Sequence, residues 1–219
     1  MSCTIIAVDQ RSDAGRQARV GRLTASRAAD VLATIKSGEA AARRDYRLQL
    51  VVERLTGQPQ ENGFTSADMQ RGIDLEPAAF SAYEAATGIL AERVGFCAHD
   101  TLLAGCSPDG VVGAFEGLVE LKCPKSATHL RYLRAGVVPT EYLPQIVCSL
   151  WVTGAAWCDF VSFDDRFPID LQLFRVRVTR STEAIALWDT QARMFLAEVE
   201  AELASIQTLR EGSAIWQCH

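Results

Sequence analysis

Two acids and an ammonium stand at a working spacing in the run SPDGVVGAFEGLVELKCPK, which places Asp109 ahead of Glu120 and Lys122. Along a strand, positions two apart share a face. Glu120 and Lys122 therefore point one way, while Val119 and Leu121 point the other way, into apolar packing. Asp109 stands in a Pro-Asp-Gly turn just before Val111-Val112, and a hairpin through Gly113 to Gly117 brings it beside Glu120. Two carboxylates converging on one point repel each other unless a cation lies between them. Oxygen ligands with room for water and phosphate favour magnesium or manganese over zinc, and the Leu121 carbonyl can add another oxygen. A lysine beside such an ion can position or deprotonate an attacking water, or offset charge on a pentavalent phosphate. The pattern fits metal-dependent phosphodiester hydrolysis. An isolated Glu-x-Lys would read more plainly as a salt-bridged surface hairpin; the Pro-Asp-Gly at hairpin distance favours the metal site.

The elements that must position these residues are legible in outline. Thr24 or Ser26 can cap a short helix running to Leu32. Ala40 to Leu55 and Met69 to Thr87 read as helices, the second followed by Gly88, with Pro77 marking a kink or a start. Gly57 to Thr65 reads as a loop. Arg93 to Phe96 and Leu102 to Ser107 are β-compatible. Ala127 to Ala135 and Glu141 to Val152 are helical, with Pro144 in a first turn. Trp157 to Phe163 and Leu171 to Val178 alternate as strands, and Thr182 to Leu209 is a long amphipathic helix with room for one break. This order predicts an α/β (α+β) chain with a mixed central sheet flanked by helices, and a single domain over residues 1–219.

Composition sets bounds. The chain of 219 residues is 48% apolar and 22% charged, as for an ordinary globular protein, and no apolar run is long enough to span a membrane. The start has no basic segment followed by a long apolar stretch, so no secretory signal is expected. Seven cysteines, an odd number without a CxxC pair, argue against a disulfide framework or structural zinc, and their spacing fits no iron–sulfur motif. Reduced, mostly buried thiols in a cytoplasm are expected. The net charge of −5 does not exclude nucleic acid, because metal-binding acids count against the total and a groove needs only local charge. Arg16, Arg19, Arg22 and Arg27, then Arg43, Arg44, Arg47 and Arg54, supply either such local charge or solvated helix faces.

Reading outward from the hairpin, CSPDG, ELKCP, Gln145 and SLWVT follow in order, with RVGRLTAS and QRGIDLEPAAF upstream. The set resembles the phage lambda exonuclease and YqaJ-type viral recombinase family of the PD-(D/E)XK nuclease superfamily. The resemblance runs from Arg19 to Thr153 and implies a restriction-endonuclease-like core. It implies that Asp109 and Glu120 bind metal with the Leu121 carbonyl, that Lys122 is catalytic, that Glu76 faces the metal, and that Gln145 lines the site. Arg19, Ser26 and Ser107 would form a pocket for a 5′-terminal phosphate, and Tyr142 would border the site. Plainer alternatives stand beside these. Glu76 or Gln145 can face solvent, Ser26 can be a helix cap, Ser107 can initiate the turn, and Arg19 can be a general backbone contact. His99 and His129 are read as surface or packing residues.

The family implies a Mg²⁺-dependent (or Mn²⁺-dependent) 5′-to-3′ exonuclease on linear duplex DNA, with two ions per site when DNA is bound. It releases 5′ mononucleotides and leaves a 3′ overhang for a single-strand annealing protein. It also implies a ring-shaped homotrimer and a phage or prophage origin, acting in the bacterial cytoplasm. The alternatives are an endonuclease on the same scaffold and a non-catalytic DNA-binding subunit. The segment from Asp109 to Glu120 is slightly longer than the family's, the part before Arg19 is shorter, and Ala40 to Leu55 aligns poorly.

Overall fold

The computed structural model describes residues 3–60 and 66–212, with side chains described up to residue 209. Within these, strands β1 (Cys3–Ile6), β2 (Leu23–Thr24), β3 (Phe96–His99) and β4 (Ala104–Cys106) form one four-stranded sheet in the order β1-β3-β4-β2. A second sheet has the order β5-β6-β7-β8, from Gly110–Val112, Gly117–Lys122, Trp157–Phe163 and Leu173–Thr179. Both sheets are mixed, since β2 runs parallel to β4 and β6 parallel to β7 while the other pairs are antiparallel. The expected mixed sheet flanked by helices is present, and the first sheet is an addition to it.

The second sheet is covered on both faces, which is why its central strands are almost wholly buried. Helix α4 (Ala67–Thr87) covers one face, where Ala79 and Tyr83 pack on Val119, Leu121, Val161 and Phe163. Helix α6 (Leu143–Thr153) lies in the core of the opposite face, where Leu118, Cys158 and Phe160 join Ile146 and Leu150. That core continues to β3 and β4 and to helices α3 (Ala41–Thr56) and α7 (Thr182–Gly212) through Tyr46, Leu50, Trp188 and Phe195. Helix α5 (Ser126–Ala135) lies against β7 and β8.

Several boundaries differ from expectation for identifiable reasons. The N-terminal strand β1 and helix α1 (Asp13–Arg19) are additions: β1 gains order by pairing with β3, and Ser12 caps α1 by accepting from Gly15 N at 3.0 Å. The helix expected over Thr24 to Leu32 is divided into β2, a 3₁₀ turn at Ala25–Arg27 and a four-residue α2 (Ala28–Val31), because Leu23-Thr24 pairs with β4. Ser26 consequently sits inside the 3₁₀ turn and not at a helix cap. Strand β3 starts at Phe96, after Gly95, whose missing side chain lets the Ile6 and Val8 backbones close in. Pro77 lies within α4 on an exposed position, where water can serve the carbonyl it leaves unpaired. Helix α7 runs without a break. Part of the loop expected over Gly57 to Thr65 lies outside the described residues.

Candidate active site

The β5–β6 hairpin sets the geometry. Gly110 pairs with Val119, so one further step of the same register puts Asp109 beside Glu120. Strand β5 ends there, and the Leu121 N–H is donated to Asp109 Oδ2 at 2.7 Å. Because N–H and C=O of one strand residue face the same neighbour, the Leu121 carbonyl also lies on the Asp109 side. Gly110 suits a tight approach here, since a Cβ would stand 3.0 Å from the Phe80 ring of α4.

Glu120 and Lys122 project toward α6, as alternation requires. Glu120 is 3% exposed. Its Oε1 accepts from the Lys122 ammonium and from Gln145 Nε2, the latter at 2.6 Å. Pro144 in the first turn of α6 and the 3₁₀ turn Thr140–Tyr142 ahead of it aim Gln145 into the sheet. The Tyr142 ring borders the site, with its centroid 5.1 Å from Lys122 Nζ. Burial pushes the Asp109 carboxyl up to about 7, and the neighbouring Glu120 carboxylate adds to the rise against the pull of Lys122 and the Leu121 N–H. Burial alone would lower the Lys122 pKa, but Glu120 and Asp109 outweigh it and raise it. The site therefore crowds negative charge around one firmly protonated lysine.

A second cavity of about 210 Å³ opens beside Gln145, lined by Gln10, Arg19, Ser26, Ser107 and Phe96 among others. Arg19 Nη2 donates to Ser107 Oγ at 2.9 Å, and Arg19 Nη1 donates to Gln10 O at 2.7 Å. The exposed Ser26 faces the same cavity, with its Oγ 3.4 Å from Thr24 Oγ1. The four residues expected to line a phosphate pocket and its junction with the metal site are thus gathered on one cavity.

Residues 16–156 match the YqaJ-like viral recombinase domain. The chain belongs to that family. Among solved structures, the alkaline exonuclease LHK-Exo from Laribacter hongkongensis is 41% identical, with a TM-score of 0.83 over 93% of this chain and 100% of its own. LHK-Exo in complex with dAMP matches at 40% identity and a TM-score of 0.85, with the same coverage. A phage-related exonuclease from Haemophilus somnus 129PT shares 13% identity at a TM-score of 0.64, over 84% of this chain and 96% of its own, and shows the fold alone. Curated protein sequences yield no match. The chain is a nuclease of the YqaJ-like family.

On this YqaJ-family frame, Glu76 occupies a position that spacing alone does not reveal. It projects from α4 into a cavity of about 290 Å³ that Asp109 also lines. There it is ion-paired with Arg11 and with Arg93, whose Nη1 lies 3.1 Å from Glu76 Oε1. Gln10, Arg11 and Arg93 line this cavity with Glu76 and Asp109, and the sequence reading did not single them out for the site. The only signal for Gln10 and Arg11 was a polar Asp-Gln-Arg ahead of α1, which carries no periodicity, and Arg93 stood at the start of a stretch read only as β-compatible. Three of the second arginine group belong to the scaffold, while the exposed Arg44 pairs with its neighbour Asp45. Arg43 pairs with Glu198 at 2.6 Å, Arg47 with Glu39 at 2.8 Å and with Glu202, and Arg54 with Glu200 at 2.6 Å, so α3 is tied to α7. Among the described residues the six cysteines form no disulfide; Cys218 lies outside them. His129 is a packing residue, bonded to Ser162 Oγ and Leu171 O at 2.7 and 2.9 Å. None of the described helices is long and apolar enough to cross a membrane.

Proposed function

We propose that this chain is a Mg²⁺-dependent 5′-to-3′ exonuclease on linear duplex DNA, with Mn²⁺ as an acceptable substitute. The observation that carries the reading is the convergence of Asp109, Glu120, Lys122 and Gln145 on one point, beside the cavity that holds Arg19, Ser26 and Ser107. The donor set fits magnesium. It offers two carboxylates and a backbone carbonyl, and among the described residues no three His, Cys, Asp or Glu side chains form a cage of their own. Magnesium keeps several waters and binds through one or two carboxylates plus substrate phosphate. The raised Asp109 pKa marks a charge crowding that a divalent cation relieves.

Asp109 and Glu120, with the Leu121 carbonyl, would hold the ions, two of them when DNA is bound. Bound magnesium supplies Lewis-acid polarisation of the scissile phosphate and a more acidic water. Gln145 holds the Glu120 carboxylate in one orientation by its 2.6 Å hydrogen bond. Lys122, kept protonated by its two acidic neighbours, directs the attacking water and offsets the charge that builds on the phosphate. Arg19 grips a 5′-terminal phosphate with its planar fork, and Ser26 and Ser107 add neutral donors. Holding the terminal phosphate in a pocket next to the scissile bond would set the product as a mononucleotide. LHK-Exo in complex with dAMP supports that product class.

The remaining strand would be a 3′ overhang passed to a single-strand annealing protein, in a bacterial cytoplasm that a phage or prophage occupies. The test compares linear duplexes with 5′-phosphate and 5′-hydroxyl ends, with magnesium and after chelation. Faster release of mononucleotides from the phosphorylated end is expected, with loss of cleavage on chelation and in folded Lys122→Ala. Equal rates at both ends would remove the basis for the phosphate pocket, and digestion of closed circular duplex would remove the exonuclease reading in favour of an endonuclease.

A further inference from the structure

The loop between β1 and α1 is bolted over the catalytic turn. Gln10 Nε2 donates to Pro108 O at 3.0 Å and to Val94 O at 3.1 Å. Asp9 Oδ1 accepts from the Arg11 N–H at 2.7 Å, and Arg16 Nη1 donates to Arg11 O at 3.1 Å, so the backbone that carries Arg11 is held on both sides. From that base Arg11 reaches Glu76. Arg93 reaches the same carboxylate from the far side, with its guanidinium 5.4 Å above the Phe80 ring centroid. Two cations thus share one anion. The Glu76 side chain is 15% exposed, whereas Arg11 and Arg93 are 52% and 50% exposed and face the cavity mouth.

We infer that Arg11 and Arg93 are an exchangeable guanidinium clamp that couples metal loading to DNA binding. The inference rests on the reading of Asp109 and Glu120 as a metal site. A divalent cation beside Asp109 attracts Glu76 and repels both guanidiniums, so metal and arginines compete for one carboxylate. When Glu76 turns to the cation, the two guanidiniums lose their anion at the mouth of a cavity that borders Asp109. The anion that enters there is a phosphodiester, whose geometry their forked donors match. Arg11 and Arg93 then position the DNA strand and take no part in bond breaking. The device makes the order of events favour metal first and DNA second, because each guanidinium becomes available to phosphate only as Glu76 is claimed.

Two titrations test this, and neither reads activity. Magnesium binding without DNA is measured by calorimetry on the unmodified protein, Arg11→Ala and Arg93→Ala. Each variant removes a competitor for Glu76 and is expected to bind magnesium about two- to fivefold more tightly, the range of exposed ion pairs. Duplex binding is then measured against salt with calcium in place of magnesium. Each variant should lose about 0.9 from the slope of log affinity against log salt, one phosphate contact's worth. Arg11→Lys, which keeps the charge, should retain the slope. With divalent ions chelated, all variants should match the unmodified slope, since Glu76 then occupies both arginines. If the unmodified protein binds no magnesium, the metal-site reading itself fails. If it binds magnesium but the alanine variants bind equally or more weakly, the clamp is overturned. Tighter magnesium binding with an unchanged salt slope also overturns it, leaving the arginines as a lock on Glu76 alone.

Discussion

Asp109 illustrates how a single carboxyl can be placed against its own folding preference. It is pushed up to about 7 by burial first and by Glu120 second, so the folded chain holds its proton more tightly than an unfolded chain does. An unfolded aspartate titrates near 3.9, so the folded state loses stability as pH rises from about 4 to about 7 and levels off above that. Asp109→Asn keeps an oxygen to accept the Leu121 N–H and removes the repulsion with Glu120. Its thermal midpoint at neutral pH, measured with divalent ions chelated, is expected to rise by about 2–4 °C for each kcal/mol relieved. Magnesium should raise the midpoint of the unmodified protein but not that of the variant. An unchanged or lower midpoint in the variant would show that Asp109 is not under strain. Glu120→Gln differs in kind, because the carboxylate it replaces receives both the Lys122 ammonium and Gln145.

At the scale of elements, the catalytic strand is positioned by what grips its neighbours. Strand β7, parallel to β6, carries Asp159, whose carboxylate is fully buried yet receives Tyr83 Oη from α4 at 2.9 Å and Arg177 from β8 twice at 2.8 Å. Arg175 adds a contact at 3.2 Å, and Arg177 lies 3.5 Å over the Trp157 ring. This one side chain joins the helix that carries Glu76 to the sheet that carries Glu120. Burial opposes its charge, but Arg177 and Tyr83 outweigh it and hold the carboxyl below its usual range. Its stabilisation is therefore fully present above the unfolded value and is lost as pH falls through the folded one. Asp159→Asn should cost about 1–3 kcal/mol at neutral pH, the penalty of leaving charged donors half-satisfied. In urea melts the gap to the unmodified protein should close below about pH 4, where the unfolded carboxyl is protonated. A gap that stays constant to lower pH would assign the loss to packing instead.

For the whole molecule, the net charge is −5, and Arg43, Arg47 and Arg54 of α3 are paired with glutamates of α7, so these three offer DNA little free charge. Retention would then fall to topology and to a few phosphate contacts. The ring-shaped homotrimer that the family resemblance implies would supply that topology without tight contacts. If the chain forms that ring, light scattering coupled to size exclusion should report three times the chain mass of 23.9 kDa, and a monomer mass would overturn the ring. In a ring, dilution with competitor DNA during digestion should leave the extent of degradation per binding event nearly unchanged.

Some of this was determined by the sequence itself. Glu120 and Lys122 share a face because strand side chains alternate, and Asp109 joins them because the hairpin closes over a few residues. Gln145 sits one residue after a proline that suits the first turn of a helix, which starts α6 beside the sheet. These are stereochemical consequences that act over short stretches of chain. Arg19 meeting Ser107, 88 residues away, and Glu76 meeting Arg11, 65 residues away, were decided by tertiary packing. So were β1 and α1, which draw their order from β3 and from the turn at Pro108. Such contacts leave no period in any window, because they depend on which surfaces the core brings together and on how far each loop reaches.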